Sequence, residues 1–106
     1  MNFQASFSNS PTVIKLINAP SWSSCLAYCE ETGLELNSMG SFNDEIVIND
    51  NTTTNCYLVT LLSETKVNTN QVVFDTDYNT LQTWINAQTG KTCIGIRLSE
   101  KSYVVV

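Results

Sequence analysis

From the first residues of the chain, apolar and polar side chains alternate with period two: Phe3, Ala5 and Phe7 against Gln4 and Ser6. An extended segment with that pattern buries one face, so a half-buried strand is predicted over residues 2–8. The turn-forming cluster Ser8-Asn9-Ser10-Pro11 follows, with Pro11 suited to the entry of a second strand over the β-branched residues 12–17. Asn18-Ala19-Pro20-Ser21 ends that strand and offers Ser21 as a helix N-cap. The period then changes, because Trp22, Cys25, Leu26 and Cys29 recur at helical spacing and Gly33 supplies a left-handed stop, which predicts a helix over residues 22–32. Strands over residues 34–39 and 45–49, joined by a hairpin turn at residues 40–44, complete the first half.

The second half repeats the pattern. Strands are expected over residues 57–62 and 71–74, then a helix over residues 78–88 capped by Asp77 or Thr76, with an apolar stripe of Leu81, Trp84 and Ile85 and a stop at Gly90. Strands over residues 92–98 and 102–106 close it. Laying Thr32-Gly33 on Thr89-Gly90 brings Ile46-Val47-Ile48 onto Tyr103-Val104-Val105 and Leu16-Ile17-Asn18 onto Val73-Phe74-Asp75. Near the start, Phe3, Ala5 and Phe7 match Tyr57, Val59 and Leu61 once the loop between the first two strands is allowed to differ in length. The overlay sets Cys25 opposite Gln82 and Cys29 opposite Asn86, so the frame repeats and the chemical groups do not.

These elements describe an α+β protein with two similar β-β-α-β-β halves, residues 1–49 and 56–106, joined by a polar link at residues 50–55 and forming one compact domain over residues 1–106. A mostly antiparallel or mixed sheet with both helices packed on one face is the simplest arrangement, and two four-stranded sheets are the main alternative. Either leaves an exposed sheet face or edge, the natural place for a partner.

Composition narrows the functional classes. Hydrophobic residues make up 42% of the chain, but charged residues only 14%, well below the usual quarter. Asn, Thr and Ser supply the remaining polarity, a surface with little electrostatic repulsion between copies. Net charge is -5, and Lys15, Lys66, Lys91, Arg97 and Lys101 are scattered, so the clustered cations that neutralise phosphates are missing and no nucleic-acid partner is expected. No apolar run approaches the roughly 18 residues of a membrane span, and Met1 to Phe7 lacks the charged start of a secretory leader, so neither a membrane nor a secreted location is expected. The sequon Asn51-Thr52-Thr53 then reads as a polar loop.

Chemical candidates are few. The chain has no histidine, which removes the commonest general base and the usual nucleophile triads. Cys25 and Cys29 lie on a helical stripe beside Leu26 and read as small core residues rather than metal ligands, while a bridge between Cys56 and Cys93 stays open. Asp75-Thr76-Asp77 reads as helix capping, and the isolated glycines form no phosphate loop. Trp22 and Trp84 read as core anchors. No catalytic residue, metal or cofactor is assigned. The candidate partner contacts are Phe42, at the tip of the expected hairpin, and the run Tyr103, Val104, Val105 and Val106, apolar on both faces and needing cover from this domain or another chain.

The layout of residues 2–48, two strands followed by Ala19-Pro20-Ser21-Trp22 and a helix ending Glu31-Thr32-Gly33, resembles that of small virion accessory proteins of tailed bacteriophages, as does the Asn/Thr-rich, His-free, low-charge composition. The resemblance implies a structural role in a capsid decoration, neck or tail, in particles made in the host cytoplasm. The expected function is therefore a non-enzymatic structural or interaction protein that binds copies of itself or a larger virion assembly. The alternative is a small intracellular phage-encoded regulator that occludes a host protein.

Overall fold

The computed structural model describes residues 1–49, 55–75 and 77–106. Ten elements follow in order: β1 (Asn2–Phe7), β2 (Ser10–Asn18), α1 (Trp22–Glu31), β3 (Leu36–Ser41), β4 (Glu45–Ile48), β5 (Asn55–Ser63), β6 (Asn68–Phe74), α2 (Tyr78–Asn86), β7 (Lys91–Glu100) and β8 (Ser102–Val105). Both helices begin where the sequence offers a cap. Ser21 Oγ accepts from the Ser24 N–H at 3.1 Å, and Asp77 Oδ1 accepts from the Thr80 N–H at 2.7 Å, each satisfying a donor the first turn leaves free. Both helices are followed by a glycine in the left-handed region, Gly33 at φ 72° and Gly90 at φ 75°. Most of the expected link at residues 50–55, with its sequon, lies outside the described residues, as does Thr76.

The α+β class and the strand and helix order hold, and the strands form two four-stranded sheets rather than one sheet carrying both helices on one face. The first has the order β3-β1-β2-β8, with Cys25 and Cys29 of α1 packed among Phe3, Ala5, Phe7 and Ile17. The second has the order β4-β6-β5-β7, with Leu81 and Ile85 of α2 packed on Val59, Leu61 and Val73. Each sheet thus has one helix to cover one of its faces, which is the amount of helix that the short halves can supply.

Neither expected hairpin at the end of a half forms. β3 pairs with β1, whereas β4 lies parallel to β6, with Glu45 opposite Gln71 and Ile48 opposite Phe74. β7 pairs with β5, whereas β8 lies parallel to β2, with Ser102 opposite Lys15 and Val105 opposite Asn18. Gly40, read from sequence as part of a turn, lies inside β3 opposite Gln4, and the Phe42 N–H donates to the Asn2 carbonyl at 2.8 Å, so the backbone stays extended where it was expected to reverse. The compact units are accordingly Met1–Asn43 with Lys101–Val106, and Asp44–Glu100. Each unit takes its fourth strand from the other half of the sequence.

The two units match position by position. Gln4 opposite Gly40 in the first corresponds to Leu58 opposite Arg97 in the second, and the irregularity between Ser6 and Phe7 recurs between Thr60 and Leu61. The exchanged strands end alike: the Asn49 N–H donates to the Phe74 carbonyl at 3.0 Å, and the Val106 N–H to the Asn18 carbonyl at 2.8 Å. The structural match corrects the sequence overlay by one residue in β2 and α1. Ile17 corresponds to Val73, and Cys25 and Cys29 correspond to Leu81 and Ile85 rather than to Gln82 and Asn86. The helix ends explain the slip: Thr32 alone separates α1 from Gly33, whereas Ala87, Gln88 and Thr89 separate α2 from Gly90, which outweighs the one residue by which α1 is longer and displaces a glycine-anchored overlay by one upstream.

Candidate interaction surface

The reactive groups are mostly occupied by structure. Cys25 and Cys29 are fully buried, and the Cys25 Sγ lies 3.3 Å from the Met39 Sδ. Burial pushes the Cys25 thiol up to about 11, with the neighbouring Cys29 adding to the rise, and burial also raises Cys29. Both are therefore neutral, inert core groups at physiological pH. No disulfide joins any of the four cysteines. Cys56 faces Ser99 across the ladder while Cys93 faces Leu61, which separates the two sulfurs' backbone positions by five steps along β5, about 17 Å at the rise of a strand. That distance is far beyond disulfide reach and closes the possibility left open by the sequence.

The carboxylates likewise have local tasks. Asp75 is buried, accepting from the Asn49 Nδ2 at 2.6 Å and from the Asp77 N–H at 3.2 Å, so it ties the end of β4 to the turn before α2. Asp77 is exposed, and the Thr80 N–H and hydroxyl hold its carboxyl below the usual range. Among the described residues no three His, Cys, Asp or Glu side chains gather as metal ligands would, and no helix is long and apolar enough to cross a membrane.

The structure disperses the contacts singled out from the sequence. Phe42 is half-buried in the segment leaving β3 and stands at no hairpin tip. Val104 packs against the core of the first unit, and Tyr103 lies opposite Leu16 on β2, so β8 is an integral edge strand of that unit. Val105 and Val106 are exposed. Trp84 packs on the second core as expected, but Trp22 is 49% exposed and meets Phe3 edge-on, with ring centroids 5.6 Å apart. The second unit repeats this pairing in Tyr78 and Tyr57, 6.4 Å apart.

The similarity of the units makes each a control for the other, and the comparison isolates β7. β3 and β7 occupy the same edge position, each paired on one side only among the described residues. β3 is six residues long and carries Asn37 and Ser41; at the corresponding places β7, ten residues long, carries Ile94 and Leu98, which are 53% and 65% exposed. Ile94 is the extra residue where the β5–β7 pairing shifts between Thr60 and Leu61. Leu98 lies opposite Tyr57, beside the Tyr57–Tyr78 ring pair. On the face turned away from α2, a shallow groove of about 460 Å³ crosses the same sheet, with Asp44, Leu58, Val72 and Arg97 among its lining.

Ile94 and Leu98 escape notice in the sequence because an apolar residue in a strand reads as core. The overlay of the halves holds the signal that could have found them, since it sets both opposite polar residues. No protein-family model matches the chain, and comparison with curated proteins and with solved structures gives no match.

Proposed function

We propose that the chain is a non-enzymatic structural or interaction protein, an accessory component of a virion, and that it works by protein–protein contact through the β7 edge. The observation that carries the reading is the pair Ile94 and Leu98, exposed on a long edge strand whose counterpart in the other unit is polar at the same positions. Unpaired N–H and C=O groups along an edge give a binding strand its affinity, and alternate side chains give it selectivity. Proteins usually blunt such edges with short length, charge or a bulge. β7 has the bulge but is long, and the side chain that the bulge leaves exposed is isoleucine. The low charged fraction, 14%, fits a surface meant to meet protein.

Leu98→Lys tests the reading, because Leu98 is mostly exposed and its replacement leaves the core intact. The variant should melt within a few degrees of the parent yet be lost from purified particles that contain the parent chain. Equal incorporation of both chains would overturn the assignment of the contact to β7.

A further inference from the structure

Resting on that interaction reading, we infer that the partner at the β7 edge is a second copy of this chain, paired antiparallel about a twofold axis that passes through Ile96. Adjacent pairs in an antiparallel ladder alternate between hydrogen-bonded and non-hydrogen-bonded kinds. A twofold axis makes the pairing of i with j identical to that of j with i. If the axis fell between two residues, it would equate neighbouring pairs of unlike kind, so it has to pass through a residue that faces its own copy.

Near the middle of β7 the choices are Gly95, Ile96 and Arg97. An axis through Arg97 sets two guanidinium groups against each other, which is unfavourable. One through Gly95 places Leu98 against the partner's Thr92 and wastes the larger exposed side chain. An axis through Ile96 places Ile94 against the partner's Leu98 and Leu98 against the partner's Ile94, so the two exposed apolar residues of the strand cover each other twice. It also sets each Arg97 opposite the partner's Gly95, where no side chain obstructs it, and brings Lys91 within one position of the partner's Glu100. The contact is isologous: one patch serves as both donor and acceptor, which is how most dimers are built. The corresponding β3 edge has Asn37 and Ser41 in place of the apolar pair and forms no such match.

The register makes a charge exchange diagnostic. The full chain, followed by sedimentation velocity over a rising concentration series, should pass from monomer to dimer mass. Ile94→Lys and Leu98→Glu should each stay monomeric over the same range, because each buries a charge against an apolar residue. An equimolar mixture of the two should regain dimer, now a one-to-one heterodimer detectable by native mass spectrometry, since Lys at 94 then faces Glu at 98. Asn37→Lys on β3 should leave the dimer unchanged, and circular dichroism melts confirm that every chain compared is folded. A parent chain that stays monomeric throughout, folded single variants that still dimerise, or a mixture that fails to recover would overturn the inference. If the parent is monomeric and Leu98→Lys is nonetheless lost from particles, self-pairing falls and the β7 contact with another protein stands.

Discussion

At residue scale, the two caps perform one task with different chemistry. The Ser21 hydroxyl is neutral at every pH of interest, whereas Asp77 is a carboxylate whose folded-state pKa lies below its ordinary value. Ser21→Ala should therefore cost about 1 kcal/mol, read as a drop in denaturation midpoint relative to the parent that has the same size at pH 3 and pH 7. The contribution of Asp77 is complete above the ordinary carboxylate pKa and disappears as pH falls through the depressed folded value, because protonation is then harder in the folded than in the unfolded chain. Asp77→Asn keeps the cap and removes the titration, so denaturant curves collected from pH 5 down to pH 2 should show a shallower loss of stability than in the parent. The Ser21 cap was legible in the sequence, since a Ser followed by a helical stripe has few other uses, while the second cap was legible only as Asp77 or Thr76, two neighbours of similar capping chemistry. The exposure of Trp22 was not legible, because its spacing from Cys25 and Cys29 is that of a core residue. Its ring instead meets Phe3 edge-on from the first position of α1.

At the scale of elements, local patterning identified strands and helices well and identified their partners poorly. Alternation in β1 and the stripes of α1 and α2 depend on which face is wet, and that is written in neighbouring residues. The destination of β4 and β8 is not. Ile46-Val47-Ile48 and Tyr103-Val104-Val105 are apolar on both faces, so they fit beside any apolar strand, and the expectation of hairpins rested on proximity in sequence. The observed parallel pairing gives β8 an uneven burial that substitution can read. Val104 packs on the first core while Val105 is exposed. Val104→Asp should lower the unfolding free energy by roughly 1–3 kcal/mol through burial of an unsatisfied polar group. Val105→Asp should change it by no more than about 0.5 kcal/mol, both measured by urea titration. Equal effects would mean that β8 does not lie against β2 in the described register.

At the scale of the whole molecule, the similarity of the halves was legible because glycine stops, caps and β-branched runs recur in the same order. The division into compact units was not, since it falls at Asn43 and Glu100 rather than at the polar link. Nothing in local sequence marks either crossing. Asn43 and Glu100 occupy corresponding places in the two halves, so the departure is itself repeated.

The reciprocal exchange of β4 and β8 also makes the two halves obligate partners. Each half on its own is a sheet with an empty lane and a spare strand, and the spare strand of one is cut to the lane of the other. Omitting residues 50–54 would leave two fragments, residues 1–49 and 55–106, that together hold every strand pairing described above. Expressed separately, each fragment should be poorly folded. Mixed, they should assemble one to one and regain the circular dichroism of the intact chain, which would make the protein a natural starting point for a split reporter. Two fragments that fold alone and ignore each other would show that the donated strands are dispensable.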